Sequence, residues 1–164
     1  LELLVTLSIA AILLSVAAPS FSGWMAKSRL RTAAYDLLTD IQKTRSEAVM
    51  RSTRVTLWNA ADNNWTSGWE IFVDSDEDGV RDSSEPVLYT RSARADILEI
   101  TGNSPVATMV SYQPSGRSAL ASGAFQAGTL TLCAEGLDQA FQIIINNAGR
   151  PQMISATRTA AGCS

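Results

Sequence analysis

Between Leu3 and Met25 no residue carries a charge, and the opening stretch LELLVTLSIAAILLSVAAPSF is almost wholly aliphatic. At about 1.5 Å per helical residue such a run reaches roughly 30 Å or more, the thickness of a bilayer core. A helix apolar on every side needs lipid or a large protein around it, and the rest of this 164-residue chain is too small to supply one. An excised signal peptide would show a basic start, a shorter apolar core and a small-residue cleavage site. Here the run passes without a break into an amphipathic segment. The expectation is a helix embedded in a membrane or in a bundle of like helices.

Two residues interrupt the run. Glu2 places a carboxylate where an ionised group is costly and needs a partner, or where a helix N-terminus at the membrane edge favours negative charge. Pro19 removes a backbone bond and crowds the carbonyl of Ser15, so a kink or local melting is expected there, with Gly23 adding to the weakness. Lys27, Arg29 and Arg31 then form a basic cluster of the kind found beside membranes or anionic lipid. Leu30, Ala34, Leu37, Ile41 and Ala48 repeat at helical spacing, with Leu38 and Val49 widening the stripe, while Asp36, Asp40, Lys43, Arg45 and Glu47 fall mostly on other faces. The reading is one helix from Leu1 to about Arg51.

Beyond that helix the chain reads as β structure. Short runs rich in β-branched and aromatic residues begin at Val55, Trp69, Val87, Ile97, Ala107, Thr129, Phe141 and Gln152. Between them lie turn signals such as Ser67-Gly68, Pro114-Ser115-Gly116 and Asn146-Asn147-Ala148-Gly149. No helical pattern separates the strands, so the sheets should be largely antiparallel. The fold class is therefore α+β: residues 1–25 an apolar helix, 26–54 its amphipathic continuation, and 55–164 a β-rich head. The length suits one domain, and 46% hydrophobic residues exclude disorder. Histidine is absent, which removes every His-dependent triad and His-metal site, and no nucleophile–base pair is visible. A net charge of -3 argues against a uniformly basic nucleic-acid coat.

The opening run, with Glu2 early and Pro19 at the kink, resembles a mature type IV pilin N-terminus that has lost its first few residues. The blocks TRSEAVMRSTRVTLWNA and NNWTSGWEIFVDSDEDG, and the later CAEGLDQAFQIIINNAGRPQ, are similar to minor pilins and pseudopilins of the GspH/FimT class. The resemblance implies a pilin fold anchored in the inner membrane, with the head in the periplasm, until the helices pack into a filament core with other major and minor pilins. It also implies that Glu2 meets the free amine of a neighbouring subunit, and that Pro19 lets the helix bend during that transfer. The function implied is pilus assembly as a priming or tip subunit, with an H-type pseudopilin of type II secretion or a DNA-receptor pilin as alternatives. No enzyme activity and no small-molecule substrate are expected.

The segment from Asp74 to Glu85 matches the D-x-D-x-D-G-x5-E calcium-loop pattern. Asp74, Asp76 and Asp78 offer side-chain oxygens, Val80 its carbonyl, Asp82 a direct or water-mediated contact and Glu85 two oxygens, with Gly79 permitting the turn. Strands rather than helices flank it, so a solvated acidic loop is the competing reading. With the head outside the cytoplasm, Cys133 and Cys163 are expected to form a disulfide, buried free thiols being the alternative. The aromatic residues read as core apart from Trp65, whose polar turn suggests exposure. Some FimT-class proteins bind DNA through a Gly-Arg-x-Arg loop; here it reads Gly149-Arg150-Pro151-Gln152, with Arg158 the nearest substitute for the missing cation. Six Arg against twelve acidic residues from Val55 onward give a field that repels DNA.

Overall fold

The structure, a computed structural model, describes the chain apart from residues 60–63, 93–97 and 164, and apart from the side chains of residues 10 and 13–20. A single helix, α1, runs from Glu2 to Arg51. It stops at Ser52, which turns into the left-handed region (φ 52°) and donates its N–H to the Val49 carbonyl. Arg51 steadies the last turn through Glu47, one turn earlier, at 2.7 Å.

Among the described residues eight strands succeed the helix: β1 Val55–Trp58, β2 Gly68–Val73, β3 Val87–Ser92, β4 Leu98–Gly102, β5 Met109–Tyr112, β6 Gly128–Ala134, β7 Gln139–Ile145 and β8 Pro151–Thr157. A short helix, α2, spans Arg158–Ala161. One sheet has the order β3-β2-β1-β5 and the other β4-β6-β7-β8, with every pairing antiparallel. Each run expected to be a strand forms one. Asn146 explains the β7–β8 hairpin: its side-chain oxygen accepts the N–H groups of Ala148 and Arg150 at 3.0 Å, and Gly149 takes φ 75° beside it. A Cβ at Gly149 would lie 2.6 Å from the Ser118 nitrogen, so the turn also needs glycine for space.

The amphipathic half of α1 packs on both sheets. Leu30, Ala33, Ala34, Leu37, Ile41 and Ala48 are all buried, joined by the polar Thr44, whose hydroxyl donates to the Asp40 carbonyl at 2.7 Å. They meet Leu57, Val110 and Tyr112 of the first sheet and Leu130, Leu132, Ile143 and Ile145 of the second in one continuous core. Leu38 packs at the border of this core, whereas Val49 is exposed.

One expectation is corrected in the head, and one strand departs from simple alternation. Trp65 is buried rather than exposed, because a 3-10 turn at Trp65–Ser67, capped by Asn64, folds the indole inward. Its Nε1 donates to the Val106 carbonyl at 3.1 Å, and its ring stands 6.3 Å from that of Trp69. In β2, simple alternation of Trp69, Ile71 and Val73 fails. A register shift between Ile71 and Phe72 buries Phe72 and leaves Val73 only partly covered.

Candidate functional site

The acidic loop hangs between β2 and β3. Asp74, Asp76 and Asp78 each bring a carboxylate oxygen into one group whose members lie within 4.8 Å of one another, a set that could hold a metal ion. Glu77 (φ 65°) and Gly79 (φ 80°) both take the left-handed conformation that winds the loop around this point. Asp78 N–H donates to Asp76, and Val80 N–H donates to Asp78 at 2.6 Å. The Val80 side chain is exposed. Glu85 is buried and stands outside the trio: Oε1 accepts the Ser75 N–H at 2.6 Å and Oε2 the Asp82 N–H at 3.0 Å.

Asp74 roots the loop in the sheet. Fully buried, it accepts the Thr56 hydroxyl on Oδ2 at 2.7 Å, and the Thr56 oxygen in turn accepts the Ser111 hydroxyl at 2.8 Å. Its Oδ1 is buried with no hydrogen-bond partner. Burial pushes the Asp74 carboxyl above its ordinary value, opposed by the Thr56 hydrogen bond and the Arg54 charge and reinforced by Glu85 and Asp76. Arg54, which no sequence pattern singles out, is itself buried. It donates to the Leu120 carbonyl at 3.2 Å and reaches Glu77 at 3.4 Å.

A second charged group is equally hidden from the sequence. Asp40 was expected on an outer face of the helix, but it is buried, because its position continues the spacing of Leu37 and Thr44. It accepts Trp69 Nε1 at 2.8 Å and a bidentate pair from Arg91, at 2.6 Å to Nε and 3.1 Å to Nη2. The Asp40 hydrogen bond is the main reason Arg91 is held above its ordinary pKa. The guanidinium also sits over Tyr89 and Trp69. This cluster fastens α1 to β2 and β3.

The first half of α1 offers the other candidate surface. Leu1, Leu3, Leu4, Val5, Leu7, Ile9 and Ile12 are all exposed, as are Phe21 and Trp24. Glu2 lies exposed in the first turn among them. An apolar surface of this extent marks a contact with lipid or protein. Among the described residues no helix is long and apolar enough to cross a membrane. The expected kink at Pro19 and the middle of the apolar run lie outside the described side chains.

Cys133 and Cys163 are bonded, with Cα atoms 6.2 Å apart, tying the chain just beyond α2 to β6. Arg158 strengthens this attachment by donating to the Ala134 carbonyl at 2.8 Å. Arg150 is exposed in the β7–β8 turn, while Arg158 lies past the far end of β8. Seven residues of strand, at about 3.3 Å each, separate them. The two arginines therefore do not converge.

The family model described as Type II transport protein GspH matches residues 33–149. The chain belongs to the GspH family. That family consists of structural pilins and pseudopilins, associated with membranes and assembled with other pilins in filaments. Type IV minor pilin FimU from Pseudomonas aeruginosa has the same fold, with 24% identity, a TM-score of 0.63, and coverage of 80% of this chain and 92% of FimU. Minor pseudopilin EpsH from the Type 2 Secretion System of Vibrio cholerae is similar at 11% identity and a TM-score of 0.56, covering 77% of this chain and 97% of EpsH. Among curated proteins no sequence matches significantly. This GspH-family chain thus carries the type IV pilin fold, a long helix packed on antiparallel sheets, and the role of a minor pilin or pseudopilin. The match begins at Ala33, within the packed half of α1, takes in the acidic loop and ends at Gly149.

Proposed function

We propose that this protein is a minor pilin that primes type IV pilus assembly or sits in its tip complex. The observation that carries the reading is the contrast within α1. Leu30, Ala33, Ala34, Leu37, Ile41 and Ala48 are buried against the head, whereas Leu1, Leu3, Leu4, Val5, Leu7, Ile9 and Ile12 stand exposed. A surface so apolar is covered by bilayer before assembly and by neighbouring helices afterwards. Residues 1–25 then form the filament-core helix, 26–54 its packed continuation and 55–164 the periplasmic head.

Glu2 is the assembly residue in this scheme. A carboxylate brought into a dry bundle needs a cation, and a neighbouring subunit's terminal amine supplies one. Pro19 is the bending point. Glu2→Ala should abolish recovery of the subunit in sheared filaments while leaving head stability unchanged. Normal incorporation of the variant would refute the role of the carboxylate.

Likeness to EpsH favours a second reading, an H-type pseudopilin of type II secretion. Copurification separates the two: pilus subunits in sheared filaments support the first, secretion pseudopilins the second. A DNA-receptor role is disfavoured by the dispersed arginines and the acidic head. A gel-shift series should show no retardation even at low salt, where phosphate contacts are strongest. No catalytic role is assigned. The cation suited to Asp74, Asp76 and Asp78 is calcium, whose hard, flexible oxygen coordination accepts clustered carboxylates.

A further inference from the structure

We infer that the acidic loop is a three-aspartate calcium site in which Glu85 is the brace and not a ligand. This rests on the proposed calcium binding and divides the twelve-residue pattern differently from its usual use. Two oxygens bound to one calcium at about 2.3–2.6 Å lie no more than about 4.6–5.2 Å apart. The oxygens of Asp74, Asp76 and Asp78, all within 4.8 Å of one another, already meet that limit.

The independent sign of a missing partner is Asp74 Oδ1. The residue is fully buried, Oδ2 is satisfied by Thr56, and Oδ1 has neither a hydrogen bond nor solvent. Buried carboxylate oxygens are almost always paired, and a cation held jointly with Asp76 and Asp78 would pair this one.

Glu85 is engaged elsewhere. In the calcium-loop pattern the twelfth position supplies two oxygens to the ion. Here one oxygen holds the Ser75 N–H and the other the Asp82 N–H, so the carboxylate ties the second and ninth positions of the loop together. The Glu85 N–H closes the same turn on the Asp82 carbonyl at 3.1 Å. Three carboxylates without a bidentate fourth leave several coordination positions to water. They place affinity near the weak range of extracellular modules, about 10⁻⁴–10⁻³ M.

The site also has a structural address. The Asp74 N–H donates to the Arg54 carbonyl at 3.1 Å, and Arg54 lies two residues beyond the Ser52 cap of α1. An ion held by Asp74 would therefore fix the loop to the junction where the helix enters the sheet.

The test uses the full chain in detergent micelles, with thermal unfolding in EDTA and in calcium chloride or magnesium chloride up to about 10 mM, tenfold above the weak end of that range. Calcium should raise the wild-type Tm by about 3–11 °C. Asp76→Asn and Asp78→Asn, both at exposed positions, should fold and lose the shift. Glu85→Gln should lower the Tm in EDTA yet keep the shift. Europium luminescence lifetimes on the wild type give a second measure: about three or more waters on the ion with three aspartates, about two or fewer if Glu85 binds. No calcium shift in the wild type would overturn the calcium reading itself. A calcium shift that Glu85→Gln removes as fully as Asp76→Asn, or a low water count, would leave calcium in place and overturn the brace.

Discussion

Replacing Asp40 by alanine tests whether the buried cluster fastens the helix to the head. Asp40 accepts three hydrogen bonds, from Trp69 and twice from Arg91, with its side chain only 4% exposed and that of Arg91 21%. Removing one partner of a fully buried ion pair costs about 3–5 kcal/mol. Arg91 lies near the rim and can regain water, which moves the expectation to about 3 kcal/mol. Of this, about 1–2 kcal/mol comes from the stranded Trp69 N–H. Arg91→Ala should cost at least as much, about 3–4 kcal/mol, because it leaves the more deeply buried charge, the Asp40 carboxylate, with only the Trp69 bond of its three. Some of that loss belongs to Arg91 stacking on Tyr89 and Trp69 rather than to Asp40. A double-mutant cycle isolates the shared part, expected at about 1–2 kcal/mol. The assay is urea unfolding of the full chain in detergent, read by tryptophan fluorescence, since Trp69 sits in the cluster. Costs that add within about 0.5 kcal/mol would show that the two residues do not act together, and would refute the clamp.

Three further outcomes concern the head. Tyr112 is buried and donates to the Gly149 carbonyl at 2.9 Å, and burial holds its phenol above 10.0. The folded state keeps this proton when the unfolded chain has released it, so stability should fall as pH rises above 10.0; Tyr112→Phe should flatten that limb of the pH–stability curve. Reduction of Cys133–Cys163, which closes a 30-residue separation, should lower stability by about 3–4 kcal/mol, seen as a lower urea midpoint in dithiothreitol. Trp65→Phe keeps an aromatic ring but loses the bond to Val106, and should cost about 1–2 kcal/mol by the same unfolding assay.

The architecture was largely legible because its signals are local. Leu30, Ala34, Leu37, Ile41 and Ala48 announce a helix by spacing, and the strands announce themselves through β-branched runs between turn residues. The aspartate trio was visible for the same reason, as alternate residues in one short loop. The features that stayed hidden depend on distant partners. Asp40 obeys the buried spacing, but its charge masked it until Arg91, 51 residues on, came into view. Trp65 sits among polar neighbours and goes inward because a carbonyl at Val106 awaits it. The register shift in β2 and the burial of Arg54 leave no periodic trace at all.

The order of the strands has a kinetic consequence. β4 belongs to the second sheet, β5 returns to the edge of the first, and β6 goes back to the second. β1 therefore waits for Met109–Tyr112 before its free side is covered. Such long-range pairings form slowly, and an uncovered strand edge recruits other chains while it lasts. On the proposed assembly role, subunits gathered by their apolar helices would be exposed to wrong joining at β1 before they join correctly along those helices.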